Sequence, residues 1–223
     1  MLNRPQWFAS ALAFVIVFTV QGVAQQTASS GTFILHKFAN PIGTETYSIE
    51  TKNDTYILTS HFLFTDRGTK VPLESTFTAR TRDLSPLSYR AKGKASRFAE
   101  IDDSVTVTGT TISIDRSGKS ETQVADKSWY VADGYSPVAM QEQLVRWWLK
   151  QGKPEEFIVY PSKALVHISP SGTLTVGNIA AHGYTVSGLI WGRECLWIDD
   201  AQNLIALVST DAEFDHFEAV REQ

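Results

Sequence analysis

The segment DAEFDHFE (211–218) gathers Asp211, Glu213, Asp215, His216 and Glu218. In an extended chain, Asp211, Glu213 and Asp215 fall on one face, and Ala212 and Phe214 on the other. Carboxylates in such a row could hold a hard cation such as Ca²⁺. A solvated strand edge uses the same pattern, because like charges on an edge discourage pairing with another sheet. A calcium loop also needs a sharp glycine turn and a backbone carbonyl, and this tail has no glycine. The edge reading is preferred, and the three acids remain weak metal candidates.

The other reactive side chains form no recognisable grouping. His36, His61, His167, His182 and His216 show neither the His-x-His nor the His-Glu-x-x-His spacing that puts two imidazoles on one metal. Ser187 precedes Gly188 in TVSGLIWG (185–192), but no base follows at a distance typical of a nucleophilic serine. GKAS (93–96) and SGKS (117–120) lack the upstream glycine of a phosphate-cradling loop. Cys195 is the single cysteine, so it makes no internal disulfide, and its strand-like surroundings point to a buried, inert thiol. No catalytic residue and no cofactor are expected.

The elements that would position these residues are mostly strands. TETYSIE (44–50), TYILTSHFLF (55–64), VPLESTFTA (71–79), PLSYR (86–90), SVTVT (104–108) and TISID (111–115) read as strands, several alternating with period two. Asp66-Arg67-Gly68, Gly109 and Asp115-Arg116-Ser117-Gly118 supply turns, and 124–131 is a weaker strand. EFIVYP (156–161), ALVHIS (164–169), TLTVG (173–177), YTVSGLIW (184–191), RECLWI (193–198) and NLIALVST (203–210) continue the pattern, with a last hairpin turn at Asp199-Asp200-Ala201-Gln202.

One segment predicts a helix. Ser136 is placed to cap it and Pro137 to begin it. PVAMQEQLVRWWLKQ (137–151) sets Met140, Leu144, Trp147 and Trp148 on one stripe, and Gly152 and Pro154 end it. The expected fold is mainly β (α+β): a curved antiparallel sheet or open half-barrel wrapped around one central amphipathic helix. Met140, Leu144, Trp147, Trp148 and Trp191 could line an apolar cavity in such a barrel, or simply fill the space between sheet and helix. The acidic tail reads as the exit from the sheet.

The chain opens with Arg4, an apolar run from Trp7 to Val20, and the small residues Gly22 and Ala24. This predicts a signal peptide over 1–24, a disordered lead-in over 25–31 and one β-rich domain over 32–223. The apolar run is short of the ~20 residues of a membrane span, so after cleavage the protein is not expected to be integral to a membrane. An uncleaved anchor is the alternative. The expected location is exported, periplasmic or extracellular, in a bacterium. Twenty Lys and Arg against 24 Asp and Glu give a formal charge of −4, which offers no footprint for nucleic acid.

Four stretches carry a resemblance: TDRGTKVPL (65–73), LSPLSYRAKGKASR (84–97), GYSPVAMQEQLVRWWL (134–149) and 188–222. Together they resemble the N-terminal β-rich region of secreted bacterial proteins of the amidohydrolase superfamily. There, such a domain precedes a metal-dependent (β/α)₈ barrel. None of that barrel's catalytic residues maps onto this chain. The resemblance implies a non-catalytic accessory domain, partnered with an amidohydrolase-like catalytic domain or protein. The layout also resembles lipoprotein-carrier-type half-barrels. That implies the alternative of a periplasmic binding module for a lipid-like or other hydrophobic small molecule.

Overall fold

The computed structural model describes residues 27–38, 40–94, 99–125, 128–132, 137–189, 192–210 and 217–222. The proposed cap Ser136, and Trp191, Asp211, Glu213, Asp215 and the signal segment, lie outside them.

The first arm of the structure is a meander of eight strands: β1 (Thr27–Lys37), β2 (Asn40–Lys52), β3 (Thr55–Asp66), β4 (Thr69–Arg80), β5 (Pro86–Lys94), β6 (Glu100–Thr108), β7 (Thr111–Arg116) and β8 (Lys119–Val124). The short strand β9 (Trp129–Ala132) leads to the helix α1 (Val138–Lys150). The second arm is β10 (Phe157–Pro161), β11 (Ala164–Val176), β12 (Ile179–Ser187), β13 (Arg193–Asp199), β14 (Leu204–Ser209) and β15 (Phe217–Arg221). All belong to one 15-stranded sheet in the order β8-β7-β6-β5-β4-β3-β2-β1-β15-β14-β13-β12-β11-β10-β9. Neighbours pair antiparallel except β9 and β10, which run parallel because α1 is their crossover.

Local chemistry explains the hairpins. Arg67-Gly68 and Ser117-Gly118 form two-residue loops with both residues at positive φ (49° and 79°, 49° and 80°). This is the turn geometry whose twist matches the strands it joins. The alternation predicted along β2, β3 and β4 is observed: Tyr56, Leu58 and Ser60 face inward on β3, as do Val71, Leu73, Ser75, Phe77 and Ala79 on β4.

Three expectations change. ALVHIS and TLTVG belong to one strand, β11, with an irregularity between Pro170 and Gly172 rather than a break. Residues 27–31 of the expected lead-in are strand, because β1 pairs with β2 from Thr27 onward. Residues 217–221 of the tail do not leave the sheet: β15 lies between β1 and β14 and joins the two arms.

The sheet curls, bringing β9 and β10 back against β5, β6 and β7 near its other end. The Lys163 ammonium, in the β10–β11 turn, meets the Glu121 carboxylate of β8 at 2.7 Å. The core draws on both arms, with Phe33, Leu58, Phe77, Tyr89, Ile112, Phe157 and Leu196 fully buried. Met140 and Leu144 of α1 are fully buried in the same cluster. Trp147 packs on Tyr130 and Phe157, each with ring centroids 4.9 Å away, and Trp148 meets Tyr184 edge-on at 6.0 Å.

The helix differs from the amphipathic expectation. Its first eight residues are all buried, including Gln141, Glu142 and Gln143. Only Lys150 is exposed, with Arg146 and Leu149 intermediate. A helix enclosed this far needs partners for its polar side chains, and those partners define the site.

Candidate functional site

The helix N-terminus is closed by a side chain from 93 residues earlier in the sequence. Glu45 of β2 is fully buried and accepts from the Val138 amide at 2.6 Å and the Ala139 amide at 3.0 Å. The Ser60 hydroxyl of β3 donates to the same carboxylate at 2.7 Å. Two backbone donors that the helix cannot satisfy internally are thus paired, and the carboxylate sits at the positive end of the helix dipole. Burial still dominates and pushes Glu45 up from 4.5 to about 7, against the hydrogen bonds that hold its charge.

A second buried acid lies one turn along. Glu142 takes the Leu204 amide at 3.1 Å and the Arg221 guanidinium at 2.6 Å on one oxygen. On the other it takes Gln143 at 3.2 Å and Arg146 at 3.3 Å. Burial raises its pKa, and Arg221 is the strongest opposing influence. Arg221 also donates through Nε to the Leu204 carbonyl at 2.6 Å and through Nη1 to the Tyr47 hydroxyl. Its guanidinium lies 5.1 Å from the Phe33 ring centroid and 5.6 Å from that of Tyr47. Gly31 makes this possible: a Cβ there would fall 2.7 Å from Tyr47 ring carbons, so the tyrosine can lie across β1 only because none exists.

Tyr47, Glu142, Arg146 and Arg221 border a cavity of about 310 Å³. Its walls come from the start of β1 (Ala28, Ser29, Ser30), β2 (Tyr47, Ile49, Thr51) and β3 (Tyr56). Glu142 and Arg146 of α1, Asn203 of the β13–β14 turn and Arg221 of β15 complete them. The Tyr56 and Tyr130 hydroxyls and the Arg146 Nε are buried without a hydrogen-bond partner among the described residues. Burial raises the pKa of both phenols, so they stay protonated in the ordinary pH range.

Chemically, the arrangement can hold a molecule more readily than transform one. Both Glu142 oxygens are engaged and the side chain is 2% exposed, so it is no free general base. Among the described residues, the hydroxyls that border the cavity belong to Ser29, Ser30, Thr51, Tyr47 and Tyr56, and no imidazole or other free base lines it to activate one. Among the described residues, no group of three His, Cys, Asp or Glu is placed to hold a metal ion.

The residues singled out from sequence are scattered. Met140, Leu144, Trp147 and Trp148 sit in the core, and none of the four lines this cavity. His61 faces Glu74 at 3.6 Å on the outer surface, and His182 meets Asp200 at 2.8 Å. Cys195 is half-buried, not buried, because Glu194, Leu196 and Ile198 take the inward positions of β13. Sequence reasoning missed Glu45, Glu142, Arg146 and Arg221. A signal existed for Glu45: it shares the inward phase of TETYSIE with Tyr47 and Ile49, where a charge must find a partner.

No family model matches the chain, and no curated protein matches it. Among solved structures it is similar to a β-barrel-like protein of domain of unknown function DUF1849 from Brucella abortus. That likeness has a TM-score of 0.55 at 9% identity, over 90% of this chain and 96% of that one. A DUF1329 family protein from Desulfovibrio piger ATCC 29098 aligns over 91% of this chain and 85% of that one, at 10% identity and a TM-score of 0.25. The first likeness shows the fold: a β-rich, barrel-like domain built on one curved sheet. It carries no link to an amidohydrolase-type catalytic domain.

Proposed function

We propose that this protein is a non-catalytic, exported binding module, in which an open barrel plugged by α1 holds a small molecule beside the helix. The observation that carries the proposal is the cavity of about 310 Å³ bordered by Tyr47, Tyr56, Glu142, Arg146 and Arg221. That volume is at the lower end of ligand pockets, ~300–1,000 Å³. The hydroxyls, guanidinium groups and phenols around it favour a small polar ligand over the lipid-like one that the half-barrel resemblance implied. Export rests on the signal-type pattern of residues 1–24. The association with an amidohydrolase-like partner rests on the segment resemblance alone, and the site has no feature that requires it.

The test uses Ser29, which pairs with Ile49 on the inward phase of β1 and borders the cavity. Ser29→Trp should fill the space. Thermal melting of the full chain against fractions of a small-molecule extract should reveal a fraction that raises the Tm of the wild type and leaves Ser29→Trp unmoved. If no fraction shifts the wild type, or both proteins shift alike, the proposal fails.

A further inference from the structure

We infer that the ligand of this cavity carries a carboxylate-like monoanionic group that docks on the Arg146 guanidinium; this rests on the binding reading above. Among the described residues, three charge-bearing side chains border the cavity: Arg146, Arg221 and Glu142. Arg221 is committed within the protein, to the Leu204 carbonyl, the Tyr47 hydroxyl and Glu142. Its 2.6 Å contact with Glu142 makes that pair self-contained.

Arg146 is the less engaged of the two cations. Its hydrogen bond among the described residues is a long one, 3.3 Å to an oxygen of Glu142, which also receives Gln143. Its Nε is buried with no partner, yet the side chain as a whole is a quarter exposed (25%). A guanidinium offers five N–H donors in a planar fork, and most of this fork is unspent. Two cations against one carboxylate leave a net positive charge in a cleft walled by Tyr47 and Tyr56, where water screens it less than at an open surface.

The match for a planar, underused fork is a planar anion bound through two parallel hydrogen bonds. A single negative charge completes the balance. A dianion such as phosphate would place its second charge close to the buried Glu142 carboxylate, with no further cation to meet it. A neutral amide would leave the Arg146 guanidinium with only its long, shared contact to Glu142. The hydroxyls of Ser29 and Thr51 on the opposite strands can serve the remainder of a small polar molecule.

The test is calorimetric titration of the full chain with paired probes: lactate with lactamide, benzoate with benzamide, and inorganic phosphate. At least one carboxylate should bind, with its amide weaker by about tenfold or more, as expected for loss of a charge-assisted hydrogen bond. Phosphate should bind more weakly than that carboxylate. Arg146→Gln should weaken the carboxylate by about tenfold or more, and Arg146→Lys, which keeps the charge but not the fork, by less. Circular dichroism of each variant checks folding, and if Arg146→Gln does not fold, Arg146→Lys decides.

Amides binding as well as carboxylates, phosphate binding best, or Arg146 variants that fold and bind normally would overturn the inference. If amides and carboxylates bind equally and Ser29→Trp abolishes both, the cavity reading stands and the anion inference alone falls. If none of the probes binds while an extract fraction still shifts the wild type alone, the anion inference again falls by itself. Failure of both probes and extract removes the two together.

Discussion

Glu45 must serve as a helix cap in a place that water does not reach. Its carboxyl is pushed up from 4.5 to about 7 by burial. An acid with a raised folded-state pKa binds its proton more readily when folded. Its contribution to stability is therefore full below about 4.5 and is lost as the pH rises through about 7. Across that window the loss from this group is of order 3 kcal/mol. Glu142, also raised by burial, adds in the same direction. Denaturant titrations at pH 5 and pH 8 should show a steeper decline for the wild type than for Glu45→Gln; parallel declines would show that Glu45 does not titrate there. Arg221 gives a second prediction at this scale. Arg221→Met leaves Glu142 buried beside weaker partners and should cost about 3 kcal/mol, whereas Arg221→Met with Glu142→Leu should recover most of it. A single variant that unfolds at the wild-type urea midpoint would contradict this.

The helix was legible in PVAMQEQLVRWWLKQ because its apolar spacing and its Gly152–Pro154 stop are local signals. Its N-terminal closure was not, since Glu45 lies 93 residues before Val138 and only the fold brings them together. Strand phase was legible wherever polar and apolar residues alternate, as in β2 and β4. It was partial around 124–131: β9 covers 129–131, while β8 (119–124) was missed because it faces solvent and carries no alternation to read. The cavity was illegible for the same reason as the cap: its walls join β1 to β15 and α1, contacts between the two ends of the chain. Since Leu144 is fully buried, Leu144→Ala should lower stability by about 2–5 kcal/mol in urea denaturation. Leu144→Pro, which also removes a helical hydrogen bond, should prevent folding. A soluble Leu144→Pro variant with unchanged melting would show that α1 does not hold the core together.

At the scale of the whole molecule, two meanders meet at the β1–β15 pairing and curl until β9 and β10 approach β5 to β7. This closure comes from packing, so among the described residues β8 remains an edge strand paired on one side only. Lys119 and Glu121 place charges along it, and five of its six side chains are exposed. Lys119→Val with Glu121→Val should turn that edge into a docking strand and produce concentration-dependent oligomers by light scattering; a strictly monodisperse variant would argue that the edge is protected by other means. The same curl creates the cavity, because it brings the start of β1, the helix face and the end of β15 around one space. Native mass spectrometry of the full chain isolated from its producing cell tests whether that space holds a molecule. The wild type should carry a small bound molecule that is released on collisional activation, and Ser29→Trp should fly bare. A wild type equally bare, or a Ser29→Trp variant carrying the same molecule, would contradict the account.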